Sequence, residues 1–277
     1  AEKRIQPVGA FRYGDAGAAE LAEAQAAAAL NHPNITQIYA IEDSDDEIFI
    51  VMEYIDGQEL KKIVGAGSEP ARTEKLDVEK VLGIAIQIAN GLQAAHEKEI
   101  VHRDIKTSNI MITDTGQVKI MDFGLAKLNG TSDLTKTSST LGTTAYMSPE
   151  QVRGEVVDMR SDLWSFGVVL FEMLSGEHPF NGNYEAAIIY EILNEQPQDI
   201  TKIRPDLPQN INLLISELLT KDCDHRISNA LDIITRLNDK PLKIVAESQD
   251  NSIAVLYFEN MSPDKDNDYF CAGMTED

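Results

Sequence analysis

Residues 102–109 read HRDIKTSN, and residues 122–124 read DFG. The intervening segment, IMITDTGQVKIM, holds two apolar runs separated by a turn-forming cluster with a glycine. Such a pattern predicts a β-hairpin. Because a hairpin brings its two outer ends together, we expect Asn109 and Asp122 to lie close to each other.

The polar residues at the two ends of this hairpin suit phosphoryl transfer. Asn109 and Asp122 carry amide and carboxylate oxygens, which are ligands that suit Mg²⁺. Asp104 lies on the same loop as Asn109, free to orient a hydroxyl and to receive its proton. Lys106 adds a positive charge where a transferring phosphoryl group becomes more negative. The alternative is an ordinary surface loop with Asx turns, but eight specified positions in order favour a functional site.

The two stretches resemble the catalytic loop and the metal-binding loop of the protein kinases. The resemblance implies that Asp104 is the catalytic base and that Asn109 and Asp122 hold Mg²⁺. The pattern HRDxKxxN, which includes Lys106, is similar to the serine/threonine class. ATP would then be the phosphate donor, and the partners would be protein substrates with Ser or Thr acceptors. Self-association through autophosphorylation is a further expectation.

Periodicity, composition and the family resemblance together predict the surrounding elements. We expect helices at residues 17–30, 78–96, 162–174, 184–194, 209–220 and 227–238, and strands at 35–41 and 47–54 around an acidic turn at 43–46. The helix at 162–174 is apolar nearly all round, which describes a helix buried inside a lobe. The kinase resemblance covers residues 1–238. It implies an α+β, two-lobed fold with an incomplete small β-rich N-lobe and a mainly helical C-lobe.

Composition limits the partners and the compartment. The net charge of −22 would repel nucleic acid and anionic membranes, so neither is expected as a primary partner. No apolar run approaches the length of a membrane span, and no signal peptide opens the chain. Cys223 and Cys271 are too few and too far apart to indicate a disulfide framework or a zinc site. We therefore expect a reducing, cytoplasmic location.

Five residues are assigned to a nucleotide site through the kinase resemblance. The segment after the second predicted strand is similar to the hinge between the lobes. Met52 would be the gatekeeper, and Glu53 and Ile55 would offer backbone groups to adenine. Glu59 lies within reach of the ribose, and Met111 is assigned to the same cofactor site. The alternative is an ordinary strand that enters a turn.

Upstream of the hinge the resemblance is incomplete. The helix at 17–30 continues into a segment similar to the end of the kinase helix with an ion-pairing Glu. This assigns that role to Glu23, with Glu20 as a competitor; a solvent-facing Ala-rich helix is the alternative. No Gly-rich loop precedes Glu23. Counting back from Glu23 by the usual kinase separation puts Arg4 at the position whose side chain holds the phosphates, and Lys3 lies one residue away. We therefore expect this polypeptide, as distinct from its parent protein, to bind nucleotide poorly and to transfer phosphate slowly or not at all. A pseudokinase, a scaffold or an inactive fragment is the alternative to an active kinase.

Residues 131–144 are rich in Ser and Thr, so a flexible loop is expected. It would be the kinase activation loop, and a phosphate there would carry nearly two negative charges, with Arg103 as its natural partner. The alternative is a mobile lid without a switch function. Thr143 would hydrogen-bond toward Asp104 and Lys106. The candidate phosphorylation sites are Thr135, Thr137, Ser138, Ser139 and Thr140.

The resemblance also assigns residues to the framework of the site. Phe123 and Gly124 complete the metal-binding loop. Asp162 would brace the backbone of the catalytic loop from the buried helix. Glu150 would form a buried ion pair with Arg226, and such a pair is architectural because the loss of one partner strands a charge.

The composition changes after residue 238. Residues 239–251 are polar and predict a linker. Residues 252–277 begin with the apolar run SIAVLYF and resemble the opening of the TolB-like module that follows kinase domains in some bacterial proteins. The alternative is a linker with a docking strand. Because the chain begins without Met and has no terminating signal, we expect it to be a fragment of a longer protein.

Overall fold

The structure, a computed structural model, describes residues 10–11, 25–44, 47–65, 76–123 and 140–239. All of them belong to the first of two compact units, Ala1–Pro241; the second, Leu242–Asp277, lies outside the described residues. Several predicted residues also lie outside them and stay predictions: Lys3, Arg4, Glu20, Glu23, Gly124, Thr135, Thr137, Ser138 and Ser139.

Three antiparallel strands form the first sheet. They are β1 (Ala10–Phe11), β2 (Ile38–Ser44) and β3 (Glu47–Met52), in the order β1-β3-β2. The expected turn at 43–46 is wrong by two residues, because the pairing continues until Ser44 faces Glu47. The strand predicted at 35–41 corresponds to β2, and its expected start at Ile35 is also wrong. Ile35 instead forms an isolated parallel bridge to a different sheet, at Ile120.

The second sheet contains the predicted hairpin. Its strands are β4 (Gly57–Glu59), β5 (Ile110–Thr113) and β6 (Val118–Ile120), all antiparallel. Gly116 has a φ of +81° in the turn, a conformation that glycine adopts without strain. A Cβ on Gly57 would lie 2.3 Å from the Ile112 carbonyl oxygen, so only glycine allows β4 to pair this closely with β5.

Helices make up most of the remaining described chain. The helix at 78–96 is confirmed at both ends, and the helices predicted at 162–174, 184–194, 209–220 and 227–238 are confirmed with boundaries shifted by up to three residues. The helices are α1 (Leu60–Val64), α2 (Val78–His96), α3 (Thr140–Thr144), α4 (Pro149–Arg153), α5 (Met159–Ser175), α6 (Glu185–Asn194), α7 (Gln209–Leu218) and α8 (Ala230–Asn238). Residues 25–28, within the predicted first helix, are also helical. The described residues therefore have the predicted α+β class, with small antiparallel sheets and a mainly helical remainder.

Helix α5 forms the centre of the core, as its uniformly apolar sequence predicts. Trp164, Phe166 and Phe171 are among the largest side chains that are fully buried. Helix α2 packs against α5, α8 and β6, so the hairpin rests on the same helical core. Among the described residues, no helix is both long and apolar enough to cross a bilayer.

A buried ion pair joins α4 to the segment before α8. Arg226 donates from Nη1 to Glu150 Oε1 at 2.7 Å and from Nη2 to Oε2 at 3.0 Å, and Ser161 Oγ donates to Oε1 at 2.6 Å. The side chains of Glu150 and Arg226 are 5% and 0% exposed. Burial alone would raise the pKa of the Glu150 carboxyl, but its hydrogen bonds to Arg226 and Ser161 outweigh burial and lower it to about 2.

Removal of this arginine tests the energetic role of the pair. Arg226→Met would leave the Glu150 carboxylate buried without a cation, so the free energy of unfolding should fall by about 3 to 5 kcal/mol at pH 7. Arg236→Met breaks the half-exposed pair with Glu217 and is the matched control. The control should lose no more than about 1 kcal/mol in urea denaturation.

The pH dependence gives a second readout. In the wild type, the lowered pKa of Glu150 contributes stability that is present above pH 4.5 and is lost as pH falls toward about 2. In Arg226→Met, protonation instead relieves the stranded carboxylate. The stability difference between the two proteins should therefore narrow from pH 7 to about pH 3. A constant difference, or equal losses in both arginine variants, would contradict this role.

Candidate active site

The catalytic loop is held by a carboxylate from helix α5. Asp162 is fully buried, and its oxygens accept the backbone N–H of His102 at 2.8 Å and that of Arg103 at 2.7 Å. The His96 ring adds a third contact, with Nε2 2.8 Å from Asp162. The structure thus places Asp162 where the sequence analysis expected it, against the loop backbone.

His102 links this loop to the segment that follows the hairpin. The Asp104 N–H donates to His102 Nδ1 at 3.2 Å, so Nε2 carries the proton and donates to the Met121 carbonyl at 2.7 Å. The ring also packs edge-on against Phe123, with centroids 4.5 Å apart. One side chain therefore fixes the positions of Asp104 and of the residue before Asp122.

Asp104, Lys106 and Asn109 form one hydrogen-bonded group. Lys106 Nζ donates to Asp104 Oδ2 at 2.7 Å, and Asn109 Nδ2 donates to the same oxygen at 3.0 Å and to the Asp104 carbonyl at 2.9 Å. Within the part of the chain that the structure describes, Asp104 Oδ1 has no protein donor. Its carboxylate is therefore oriented by one oxygen and keeps the other for a ligand.

The expected proximity of Asn109 and Asp122 is confirmed at the backbone. The Met121 N–H donates to the Asn109 carbonyl at 2.9 Å, which holds Asp122 next to the loop. Burial raises the pKa of the Asp122 carboxyl, and the nearby Asp104 carboxylate adds to the rise while Lys106 opposes it. A partly buried carboxylate of this kind favours a cation as its partner.

The donor set fits Mg²⁺. Asn109 uses its amide nitrogen as a donor, which leaves its oxygen to act with the Asp122 carboxylate. Mg²⁺ commonly binds through one or two protein oxygens, with waters and phosphate oxygens as the remaining ligands. Among the described residues, no cluster of three or more His, Cys, Asp or Glu could hold a metal.

The last five residues of the predicted activation loop, 140–144, differ from the expectation of a flexible loop. Residues 140–144 are helical (α3), and Thr140 is described only through its backbone. Tertiary contacts override the loop-like composition, since Thr144 Oγ1 donates to Glu185 at 2.9 Å. Thr143 Oγ1 accepts from Lys106 Nζ at 3.2 Å, whereas the expected contact with Asp104 is not among the described contacts.

Sequence reasoning missed a buried chain of hydroxyl and carboxyl groups behind the loop. Tyr146 donates to Glu172 Oε2 at 2.6 Å, so the Thr107 hydroxyl, 2.9 Å away, donates to the Tyr146 oxygen. Burial raises the pKa of Glu172 to about 7, although the Tyr146 hydrogen bond opposes the rise. A lone Glu inside an otherwise apolar helix was the signal that could have found it.

The predicted nucleotide residues lie before the short strand β4, within it, and opposite it on β5. Met52 ends strand β3, and the Glu53 N–H donates to the Gln37 carbonyl at 2.8 Å. Glu53 can therefore offer only its carbonyl to a base, while Ile55 is half-buried in the link to β4. Glu59 faces Met111 across the β4–β5 pair.

Arg103, expected to bind an activation-loop phosphate, is half-buried. Its φ of 67° is left-handed, as is that of Asp122 at 59°. Non-glycine residues seldom adopt this conformation, and such strain is concentrated at functional sites. A phosphate-binding role for Arg103 stays a prediction.

Comparisons with known proteins agree with this geometry. A protein kinase domain model matches residues 10–241. The chain is 40% identical over 234 residues to the probable serine/threonine-protein kinase SCO3848 of Streptomyces coelicolor, covering 81% of this chain and 34% of that protein. It is 36% identical over 236 residues to the serine/threonine-protein kinase PrkC of Bacillus subtilis, covering 82% and 36%. With the serine/threonine-protein kinase PknB of Mycolicibacterium smegmatis it shares 37% over 220 residues, covering 76% and 34%. The chain thus spans about a third of the length of these relatives.

The raised pKa of Glu172 predicts a specific pH dependence of stability. Between pH 4.5 and about 7 the folded state keeps this proton while the unfolded state loses it, so stability falls as pH rises. Glu172→Gln stays neutral and keeps an oxygen that accepts from Tyr146. At pH 8 the variant should exceed the wild type in free energy of unfolding by about 2 to 3 kcal/mol.

Urea denaturation at several pH values measures this difference, which should vanish near pH 4.5. Glu217→Gln, at a half-exposed glutamate, is the control and should differ little from the wild type throughout. A Glu172→Gln effect that is the same at pH 4.5 and pH 8 would refute the assignment.

Proposed function

The chain belongs to the protein kinase family, and on this basis we propose that the whole protein transfers the γ-phosphate of ATP to Ser and Thr hydroxyls of protein substrates. The serine/threonine class is that of its named relatives. The observation that carries the proposal is the geometry of Asp104. Its Oδ2 is held by Lys106 and Asn109, so Oδ1 remains available to a substrate hydroxyl.

The site residues have separate roles in this proposal. Asp104 orients the acceptor hydroxyl and takes its proton as the new bond to phosphorus forms. Lys106 neutralises charge near the transferring group, and its second contact, to Thr143, fixes its direction. Asn109 and Asp122 would hold Mg²⁺, which supplies charge neutralisation for the phosphates when bound.

Acceptor preference for Ser and Thr also has a local source. Lys106 lies between Asp104 and Thr143, at 2.7 Å and 3.2 Å. A hydroxyl on a short side chain would approach Asp104 beside this lysine. We propose that Lys106, Thr143 and Asp104 together form the acceptor side of the site.

A pseudokinase or scaffold is the second candidate function. The sequence observation that favours it is Arg4 at the expected phosphate-holding position, since Arg does not replace a point-charge Lys. Asp104, Asn109 and Asp122 favour the enzyme. The two functions differ in phosphoryl transfer, whereas nucleotide binding is compatible with both.

Finer proposals extend beyond the described residues. We propose that phosphorylation between residues 131 and 144 regulates the domain through Arg103, and that autophosphorylation involves self-association. A cytoplasmic location agrees with the need for ATP. Residues 1–238 would be the kinase domain, 239–251 a linker and 252–277 the start of a TolB-like module, which rests on the sequence resemblance alone.

Asp104→Asn tests the proposed base. In the whole protein, transfer from labelled ATP to a mixed protein substrate should occur on Ser and Thr with the wild-type sequence, and it should fall at least about a hundredfold in the variant because Asn cannot take the proton. Both proteins should melt at a higher temperature with ATP and Mg²⁺, since a ligand that binds only the folded state stabilises it. Asp122→Asn should lose the Mg²⁺-dependent part of that rise.

Glu217→Gln serves as the control and should keep wild-type transfer and melting shift. Equal transfer by the wild type and Asp104→Asn would rule out Asp104 as the base. A wild type that gains a melting shift but transfers no phosphate would support the scaffold instead.

A further inference from the structure

Lys119, on strand β6, is a buried cation with no role in the site described so far. Its side chain is 10% exposed, and lysine is rarely buried to this extent unless it is paired. Nζ donates to Glu53 Oε2 at 2.8 Å and lies 3.5 Å from the Ile35 carbonyl oxygen. This ion pair connects strand β6, which precedes Asp122, with the segment around Glu53, which is expected to contact adenine.

The position of Lys119 is fixed by its own strand. The Ile120 N–H donates to the Asn34 carbonyl at 2.8 Å, and the Thr36 N–H donates to the Ile120 carbonyl at 2.9 Å. The charge of Lys119 also acts on the neighbouring segment. Burial and, to a smaller degree, the nearby Lys119 cation lower the pKa of the His32 imidazole. The backbone directly after Lys119 is therefore held by two hydrogen bonds.

Glu53 is held at two further points. Its backbone N–H donates to the Gln37 carbonyl at 2.8 Å, and its Oε2 accepts the Gln37 N–H at 3.3 Å. With Lys119 as the third contact, both the backbone and the side chain of Glu53 are restrained. Because the nitrogen and the side chain of Glu53 are both held, the tetrahedral geometry of its α-carbon sets the direction of the bond that leads to its carbonyl.

The sheet register places Lys119 beside the expected nucleotide. Glu59 pairs with Met111, and Met111 pairs with Lys119. Directly opposed residues in antiparallel strands project from the same face of a sheet. The expected ribose contact, the cofactor-site methionine and this lysine therefore form one row on one face.

We propose that Lys119 is a positioning residue for adenine recognition, which acts by holding the Glu53 carbonyl toward the exocyclic 6-amino group of the base. The inference rests on the proposed function for the identity of the nucleotide. Without the lysine, the Glu53 carboxylate lacks its cation and turns toward water, and the adjoining peptide unit loses one of its restraints.

Nucleotide discrimination tests the inference. The dissociation constants of ATP and of purine riboside triphosphate, which lacks the 6-amino group, are measured with Mg²⁺ for the wild type and Lys119→Met. We expect about a tenfold loss for ATP, the equivalent of one hydrogen bond, and little loss for the analogue. Lys119→Arg keeps the charge and should recover most of the ATP affinity.

Lys221→Met is the matched control. Lys221 is a half-buried lysine that donates to the Glu191 and Ile192 carbonyls at the end of α6, and its loss should alter binding of both nucleotides little. Glu53→Gln weakens the same ion pair with little change of shape, so it replaces Lys119→Met if that variant does not fold. Glu53→Gln should also weaken the binding of ATP more than the binding of the analogue.

The possible failures are distinguishable. Equal losses for both nucleotides in Lys119→Met, or no loss for ATP, would overturn the positioning role and leave the proposed function intact. Lysine-dependent discrimination without phosphoryl transfer would support the inference and contradict the enzyme. A wild type that binds neither nucleotide would contradict both.

Discussion

The hydrogen bonds from the catalytic loop to one buried carboxylate are the constraint on which the site depends. Asp162 accepts two consecutive backbone N–H groups and contacts a histidine ring, so its charge is compensated inside an apolar helix. The two amides belong to His102 and Arg103, directly before Asp104. The direction of the proposed base is therefore set by backbone that cannot turn without stranding a buried charge.

Helix α5 positions further segments of the chain in the same way, because its polar side chains bond to them at fixed points along the helix. Ser161 bonds Glu150, Asp162 bonds the catalytic loop, and Glu172, about 15 Å farther along the axis, bonds Tyr146. Each polar group lies in surroundings that would penalise it if it were unpaired. A helix with buried polar groups along its length thus sets the spacing between the catalytic loop and the segments around it.

The sequence predicted whatever depended on local pattern. The hairpin followed from apolar runs and a glycine turn, and the helix at 78–96 from periodicity, because both signals lie within one segment. The helix at Thr140–Thr144 was missed because contacts with a distant helix stabilise it. The Tyr146–Glu172 bond and the Lys119–Glu53 pair were missed for the same reason, since each joins residues far apart in sequence. The motif identified the residues at the site, but it could not supply their hydrogen-bond geometry.

The β5–β6 hairpin has a consequence for the entropy of binding. Asn109 and Asp122 are joined by the twelve residues of the β5–β6 hairpin, whose strands pair with each other, so their separation is set when the chain folds. Two metal ligands on independent mobile loops would lose conformational entropy each time a metal ion bound. Under the proposed function, the hairpin would order both residues before Mg²⁺ binds, which would raise their effective molarity toward the metal.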